Sequence, residues 1–344
     1  MAFFNNLQYL CRKILQKNMK ILGLGNALVD ILATLKDETL LSSLHLAKGD
    51  MQMIGDEEEV EIAKLMQTLP HKMATGGSSA NAMLALAHLQ SGVGYMGYIG
   101  ADENGKFFRQ ALETLGVETR LTLCEKPTGT ANTFITPDGE RTFATYLGAA
   151  SMLTPNMLKR EQMEGYDLVH IEGYFILCPG LLEAACRMAK EVGLKVSVDL
   201  SSYSMVAERR TEMTDIVKKY VDIVFANEEE ATAFTQENDP RKAAEAIAEI
   251  CHLAVVKMGG KGSCAKYHGE ELVEAPSRKV NLVDTTAAGD FFAGGFLHGY
   301  SQGWSLTDCM NAGASTAAMV IQVIGTQVTP QMWDELHKTL STLS

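Results

Sequence analysis

DLVHIEG (167–173), together with three similar apolar runs that follow it, decides the fold of this chain. The other three runs are KVSVDL (195–200), DIVFAN (222–227) and LAVVKMG (253–259). Each run is short and rich in Val, Ile and Leu, which is typical of a strand buried on both faces of a parallel sheet. Segments with helical period separate them, over 181–193, 205–220 and 239–252. This alternation predicts right-handed crossovers and a mainly parallel sheet.

The same alternation begins at Lys20 and extends the sheet. KILGLGNALVDIL (20–32) opens as a strand, SSANAMLALAHLQ (78–90) has helical period, GVGYMGYIG (92–100) is typical of a strand and KFFRQALETLG (106–116) of a helix. Three further helices are expected over 289–303, 305–325 and 329–340. The pattern predicts a three-layer α/β/α fold with one large domain over 19–344, preceded by an N-terminal extension over 1–18.

Two segments, 31–55 and 121–147, alternate polar and apolar residues and do not fit the crossover pattern. The second contains Asp138-Gly139 between two strand-like runs, which is typical of a β-hairpin turn. We expect the two segments to form a small β-sheet that covers one edge of the large domain as a lid.

Composition limits the classes of function and partner. The chain carries 30 Lys and Arg against 42 Asp and Glu, a formal net charge of −12, whereas binding to a nucleic-acid backbone needs a basic surface. Seven cysteines are scattered without a C-x-x-C pair, as in a cytoplasmic protein with reduced thiols. No apolar run reaches the ~18–20 residues that a membrane helix needs. We therefore expect a cytoplasmic protein that binds neither nucleic acid nor a membrane.

The strongest functional signal is DTTAAGD (284–290), directly before the helical run FFAGGFLHGY. Small residues at the start of a helix let backbone N–H groups and the helix dipole hold an anion without Lys or Arg. A bound anion would repel Asp290, so its presence favours a general base that acts on a hydroxyl beside the anion. An ordinary helix start with Asp in its first turn is the alternative.

Polar residues at other strand and helix ends could complete such a site. Gly76, Gly77 and Asn81 lie at the start of the helix expected over 78–90. Asn26 and Asp30 follow the first strand. That edge of an α/β sheet is where ligands bind. For Asn81, a helix cap or a solvent-facing amide is the alternative.

Two further motifs would suit a nucleotide and its metal ion. Asn227 and Glu230 lie one helical turn apart and could hold hydrated Mg²⁺, although a well-capped, solvent-exposed helix start is the alternative. Gly260 and Gly262, in a turn between two strands, leave room for a nucleobase or a phosphate, or simply form the turn. The sequence lacks G-x-G-x-x-G in its first βα turn, the P-loop pattern, H-E-x-x-H and G-x-S-x-G, which disfavours dehydrogenases, P-loop enzymes and common hydrolases.

Five motifs in one order resemble those of the ribokinase-like carbohydrate and nucleoside kinases, the PfkB family. They are G-N-x-x-x-D, G-G-x-x-x-N, G-x-I-G-x-D-x-x-G (Gly97–Gly105), N-x-x-E and D-T-T-A-A-G-D. The resemblance runs from about Lys20 to the C-terminus and implies a ribokinase-like fold with a β-sheet lid. It also implies an ATP-dependent kinase that uses Mg²⁺.

The resemblance implies a role for each matching residue. Asp290 would take the proton from the substrate hydroxyl, and Ala287, Ala288 and Gly289 would form the anion hole for the transferred phosphoryl group. Arg141 would contact the phosphates when the lid closes. The remaining matches by role are Asn26, Asp30, Gly76, Gly77 and Asn81 for the acceptor; Asn227 and Glu230 for Mg²⁺ and its waters; Gly260, Gly262 and Asn311 for ATP; and Asp284, Thr286, Val320, Val323 and Gly325 for a monovalent cation such as K⁺.

Within the family, three stretches are more similar to adenosine kinases than to ribokinases: PTGTANTFIT (127–136), EGYF (172–175) and VDIVFANEEEA (221–231). Phe175 would lie against the base of a nucleoside, with core packing as the alternative. The resemblance implies phosphorylation of a primary hydroxyl of a ribonucleoside such as adenosine. A ribokinase- or fructokinase-type sugar kinase and a non-catalytic sugar- or nucleotide-binding protein are the alternatives. Monomer and homodimer both remain open.

Overall fold

The computed structural model of the chain describes residues 18–49, 51–138 and 140–343. The expected N-terminal extension lies outside the described residues except for Asn18, as does Gly139 of the predicted hairpin turn. Of the seven cysteines, the six within the described ranges are free thiols. Among the described helices, none combines the length and the apolar composition needed to cross a bilayer.

Strands and helices alternate through most of the described chain. The strands are β1 (Ile21–Leu24), β2 (Leu28–Thr34), β3 (Met51–Met53), β4 (His71–Gly76), β5 (Val93–Gly100), β6 (Glu118–Cys124), β7 (Thr128–Ile135), β8 (Arg141–Gly148), β9 (Leu168–Glu172), β10 (Lys195–Asp199), β11 (Ile223–Asn227), β12 (Leu253–Lys257), β13 (Ser263–Tyr267) and β14 (Val273–Ala275). The α-helices are α1 (Thr39–Ser43), α2 (Asp56–Met66), α3 (Ser78–His88), α4 (Glu103–Thr114), α5 (Leu181–Glu191), α6 (Tyr203–Glu208), α7 (Arg210–Tyr220), α8 (Glu228–Thr235), α9 (Pro240–Ala248), α10 (Ala288–Ser301), α11 (Leu306–Val320) and α12 (Pro330–Leu340).

A large sheet forms the middle layer, in the order β14-β13-β12-β11-β10-β9-β1-β5-β6. Strands β12 to β6 in this order are parallel, and β13 and β14 add antiparallel pairs at one edge. Helices α5 to α9 pack on one face of the sheet, and α3, α4, α10 and α11 pack on the other. The predicted three-layer α/β fold is therefore confirmed, and β9 to β12 are the four runs that predict it.

Two expected elements are each divided in two. The run 20–32 is β1 followed by β2, and β2 leaves the large sheet. The chain turns between them at Gly25, where an added Cβ would lie 2.4 Å from Oε2 of Glu172, so glycine permits this close passage. The helix expected over 205–220 is α6 and α7, which meet at Arg209 because its φ of −108° and ψ of 21° leave the helical region.

The second sheet contains five strands among the described residues, in the order β3-β8-β7-β2-β4. Strands β7 and β8 form the predicted antiparallel hairpin. The segments 31–55 and 121–147 account for this sheet incompletely, because β4 lies outside both and β2 begins at Leu28. Within those segments, α1 is helical, and residues 121–124 belong to β6 of the large sheet, where they pair with β5.

The motif G-x-I-G-x-D-x-x-G is a joint between the two sheets. Asp102 caps α4 by accepting a hydrogen bond from the N–H of Gly105 (2.8 Å). It also accepts from the N–H (2.7 Å) and the Oγ1 hydroxyl (2.6 Å) of Thr128, the first residue of β7. An added Cβ on Gly105 would lie 2.3 Å from the carbonyl oxygen of Gly100. These contacts explain the motif by packing, without a ligand.

The joint makes a testable prediction about stability. Asp102→Ala removes a helix cap and leaves the buried Thr128 N–H without its partner, which we expect to cost about 2–4 kcal/mol in the free energy of unfolding. Asp239 caps α9 through the N–H of Arg241 alone, so Asp239→Ala is the matched control and should cost about 1 kcal/mol. Urea unfolding measures both. Equal losses in the two variants would show that the link to Thr128 contributes nothing.

Candidate active site

Five adjacent parallel strands end in polar residues along one edge of the large sheet. Glu172, Asp199, Asn227 and Lys257 are the last residues of β9, β10, β11 and β12, and Asn26 follows β1 by two positions. The strand order β12-β11-β10-β9-β1 places them side by side. At about 4.8 Å between neighbouring strands, the row extends over roughly 20 Å. A ligand lying along this edge would meet all five strands.

A cavity of about 1170 Å³ lies along this edge and continues beneath the second sheet. That volume exceeds the usual ~300–1,000 Å³ of a single-ligand pocket, so it has room for two ligands. The sequence-predicted residues that line it are Asn26, Asp30, Gly77, Asn81, Phe175, Asn227, Glu230, Gly260, Gly262, Thr286, Ala287, Ala288, Gly289 and Asp290. The predicted residues that are not among its lining in the described part of the chain are Gly76, Arg141, Asp284, Asn311, Val320, Val323 and Gly325.

Asp290 lies at the start of α10 and is held by two side chains of α3. Ser78 Oγ donates to Oδ1 of Asp290 (2.7 Å), and Asn81 Nδ2 donates to Oδ2 (3.0 Å). Burial raises the pKa of Asp290 to about 6, although these two hydrogen bonds lower it. The carboxylate is therefore charged at neutral pH, and it is a stronger base than an exposed Asp.

Asn81 is neither a helix cap nor a solvent-facing amide. Its side chain is buried. Nδ2 donates to Asp290, and Oδ1 has no hydrogen-bond partner among the described residues. A buried acceptor without a partner is costly, so Oδ1 suits a ligand hydroxyl.

The turn before Asp290 is shaped to receive an anion. Ala287 has a φ of 59°, in the left-handed region, and α10 begins directly after it. The Ala288 N–H donates to Thr285 O (3.2 Å), whereas the N–H groups that follow in a first helical turn have no partner inside the helix. Gly289 brings this turn close to Lys257, since an added Cβ would lie 3.1 Å from Lys257 Nζ.

Arg141 reaches from β8 of the second sheet to the DTTAAGD turn. Its Nη1 lies 2.5 Å from Oδ1 of Asp284 and also bonds to Oγ1 of Thr286. The buried Asp284 carboxylate accepts from the N–H groups of Thr286 (2.9 Å) and Gly325 (2.5 Å) as well. Arg141 thus joins the second sheet directly to the turn.

This arrangement bears on the expected monovalent-cation site. The Asp284 carboxylate is surrounded by hydrogen-bond donors, and Arg141 already supplies positive charge beside it. A cation needs acceptor oxygens, and at Gly325 it is the N–H that points to Asp284. The monovalent-cation site expected from Asp284, Thr286, Val320, Val323 and Gly325 stays a prediction.

Asn227 and Glu230 form a reciprocal cap at the start of α8. Asn227 Oδ1 accepts from the N–H of Glu230, and the Glu230 carboxylate accepts from the N–H and Nδ2 of Asn227, all at 2.8 Å. Burial and the nearby Asp199 raise the pKa of Glu230 to about 7. The described chain holds no cluster of three or more His, Cys, Asp or Glu placed to bind a metal ion. One carboxylate with an amide suits Mg²⁺ that keeps most of its waters.

Three functional candidates, Glu172, Asp199 and Lys257, do not follow from the motif search. Glu172 is buried and accepts from the N–H (2.9 Å) and Nδ2 of Asn26; burial raises its pKa to about 7. Lys257 Nζ donates to Oδ2 of Asp199 (2.7 Å). Each of the three is the polar last residue of an apolar strand, and that signal could have identified them.

The Gly76-Gly77 pair allows two strands to meet beside the cavity. An added Cβ on Gly76 would lie 2.0 Å from Oδ1 of Asp30, and one on Gly77, whose φ is 92°, would lie 2.2 Å from Asn26 O. The sequence suggested that Asp30 follows β1, but it lies within β2. Burial and the charge of Asp290 raise the pKa of Asp30 to about 7.

The part of the cavity beneath the second sheet is apolar. Met51, Met53, Phe143 and Leu147 come from this sheet, and Phe175 comes from the segment after β9. Phe175 is only 2% exposed and belongs to the main hydrophobic core, so it both packs in the core and borders the cavity.

Comparison with known proteins agrees with this geometry. Residues 47–332 match the pfkB family of carbohydrate kinases. An uncharacterized sugar kinase of Archaeoglobus fulgidus is 30% identical over 244 residues, which cover 70% of this chain and 96% of the relative. Adenosine kinase 2 of Arabidopsis thaliana is 25% identical over 328 residues, which cover 89% of this chain and 94% of the relative.

A solved structure of similar fold adds to this. The adenosine kinase of Sinorhizobium meliloti superposes with a TM-score of 0.82 at 32% identity, covering 94% of this chain and 99% of the other. The family match covers most of the chain and includes Asp290, Lys257 and the second sheet from Met51 onward. The chain belongs to the pfkB family of carbohydrate kinases and is itself a kinase.

Proposed function

We propose that this kinase transfers the γ-phosphoryl group of ATP to a primary hydroxyl of a ribonucleoside, with adenosine as the first candidate. The observation that carries the proposal is the position of Asp290. Its carboxylate lies directly beside an anion-binding turn, in a cavity large enough for two ligands. One end of that cavity is apolar, as the base of a nucleoside requires.

The residues around Asp290 suit phosphoryl transfer without covalent catalysis. Asp290 takes the proton of the acceptor hydroxyl, the new O–P bond forms to the γ-phosphorus, and the bond to the β–γ bridging oxygen breaks as ADP leaves. The N–H groups after Ala287 would stabilise the charge on the transferred group. Arg141, already at Thr286, would lie close to the same phosphates.

The expected cofactors fit the lining of the cavity. Asn227 and Glu230 would hold Mg²⁺ through its waters, and Mg²⁺ would neutralise charge on the β- and γ-phosphates. Gly260 and Gly262 would leave room for ATP. Asn311 is not among the described lining residues, whereas Ala314 and Ala317, on the same helix α11, are. We therefore assign the adenine contact to these alanines.

A nucleoside is favoured over a bare sugar by the walls of the acceptor end. Met51, Phe143 and Leu147 offer apolar area that a ribose alone would leave unfilled. A sugar kinase remains the second candidate because Asp30 and Glu172 could accept hydrogen bonds from several hydroxyls. A nucleoside would fill the apolar part of the cavity beneath the second sheet, and a bare sugar would not. Kinetics with different acceptors therefore distinguish the two candidates.

The first experiment is a survey of acceptors. Purified protein with Mg-ATP should release ADP with adenosine at a kcat/KM at least 100-fold above that for ribose or fructose. Phosphorus NMR should place the new phosphate on the primary hydroxyl. A higher kcat/KM for a free sugar would contradict the nucleoside assignment and favour the sugar kinase.

A second prediction concerns the base. Asp290→Asn keeps the shape and the contacts to Ser78 but removes the proton acceptor, so kcat should fall by about 10²–10⁴-fold. Because Asp290 does not hold ATP in this proposal, the Kd for ATP measured by calorimetry should change less than threefold. A variant that retains more than a tenth of the wild-type kcat would rule out the base assignment.

A third prediction concerns the apolar wall. Phe143 is half-buried and borders the cavity, so Phe143→Ala should leave the fold intact. We expect a rise of about tenfold in KM for adenosine, from the loss of an aromatic contact, with KM for ribose unchanged within twofold. Leu123→Ala, at a residue 56% exposed on β6 away from the cavity, is the control. Equal effects on both acceptors would count against a base at this wall.

A further inference from the structure

Lys257 is the least exposed of the cationic side chains that line the cavity. Three cationic side chains line it among the described residues, and Arg278 and Lys279 are exposed. The Lys257 side chain is 14% exposed and enters the cavity from the end of β12. Lysine is rarely buried without a partner, and the partner here is Asp199 on β10, two strands away in the sheet.

Asp199 leaves much of the ammonium group unused. An ammonium carries three N–H donors, and the bond to Oδ2 of Asp199 is the one that Lys257 makes among the described residues. Burial lowers the pKa of Lys257, but the carboxylates of Asp199 and Glu230 outweigh this effect and raise it. The group is therefore a fixed positive charge with donors to spare.

The ammonium lies close to the anion-binding turn. Its Nζ lies 3.1 Å from the point where a Cβ on Gly289 would be. Any larger residue at 289 would push against the ammonium. The backbone at Gly289 and the Lys257 ammonium thus approach the same point from two sides. Gly289 comes from the start of α10, and Lys257 comes from the sheet.

We propose that Lys257 binds an oxygen of the γ-phosphoryl group during its transfer, and that Asp199 positions the ammonium for this contact. The proposal rests on the function proposed above and adds a residue to it. The transferred group carries negative charge on its equatorial oxygens, and catalysis of this reaction consists mainly of positioning and charge stabilisation. A desolvated ammonium beside the turn supplies both.

A purely structural role predicts a different set of effects. In that case Lys257 would only offset the repulsion among Asp199, Glu230 and Asp290, and its removal would weaken folding and affect every nucleotide alike. A contact to the γ-phosphate would instead distinguish ATP from ADP, which lacks that group. The comparison of these two nucleotides separates the roles.

The test compares Lys257→Met with Lys219→Met. Lys219 lies on α7, its side chain is 57% exposed, it pairs with Glu183 on the surface, and it does not line the cavity. Calorimetry with Mg²⁺ would give the Kd of a non-hydrolysable ATP analogue and of ADP, and steady-state assays would give kcat. For Lys257→Met we expect a fall of about 10²–10³-fold in kcat, a Kd at least tenfold weaker for the ATP analogue and a Kd within threefold for ADP. Lys219→Met should match the wild type in all three.

A second variant keeps the test valid if the first fails to fold, because Lys257→Met leaves Asp199 buried and unpaired. The double variant Lys257→Met with Asp199→Asn removes both charges and should lose kcat and ATP-analogue affinity to the same extent. Lys257→Arg retains the charge and should recover part of kcat.

The outcomes separate this proposal from the proposed function. Equal weakening of the ATP analogue and ADP, or unchanged kcat in a folded variant, would overturn the role of Lys257 and leave the kinase assignment intact. Wild-type protein that binds neither nucleotide would overturn both.

Discussion

The crowding of charge at one edge of the large sheet is the constraint on which the site depends. Parallel strands all end at the same edge, and four carboxyl groups come together there. Glu172 ends β9, Glu230 and Asp290 lie in the first turns of α8 and α10, and Asp30 comes from β2. Glu172 and Glu230 are buried, and Asp30 and Asp290 are half-buried. Burial raises the pKa of Asp30, Glu172 and Glu230 to about 7 and that of Asp290 to about 6. Folding therefore raises the proton affinity of the whole group.

The direction of these pKa shifts determines how the stability of the fold depends on pH. A carboxyl group whose pKa is higher in the folded than in the unfolded state stabilises the fold at low pH, and that stabilisation is lost as pH rises through the folded value. Without ligands, these carboxyl groups thus lower the free energy of unfolding at neutral pH and above, compared with low pH. Lys257, the helix start at Ala288 and a bound Mg²⁺ would each offset the accumulated negative charge, so the same feature that weakens the empty site favours a cationic ligand.

The second sheet connects to this edge at two separate points. Asp102 connects β7 to α4 of the large domain, and Arg141 connects β8 to Asp284 of the DTTAAGD turn. The sheet therefore lies over the cavity while remaining attached on both sides. Its apolar residues form the wall on which the proposed preference for a nucleoside depends, and Arg141 is the cation that it would bring to the phosphates.

Local patterns were enough to predict the fold and several of the residues that line the cavity. The apolar runs of β9 to β12 and the turn before Asp290 are signals within a few residues, and so is the pairing of Asn227 with Glu230. Glu172, Asp199 and Lys257 each end an apolar strand, which is a local signal. The pairing of Lys257 with Asp199 is not local, because it depends on the order of strands: the two residues meet across β11, at a separation of 58 residues. Strand β4 was not predicted, because its pairing with β2 is set by the tertiary structure.

The central claim is that burial makes Asp290 the base, and the pH dependence of kcat/KM tests it most directly. The reaction requires the charged carboxylate, so the rate should fall as pH decreases through the pKa of Asp290 in the free enzyme. The account predicts an acidic limb with a midpoint at about 6, above the ordinary Asp pKa of 3.8. Activity that stays constant from pH 7 down to pH 5 would contradict it.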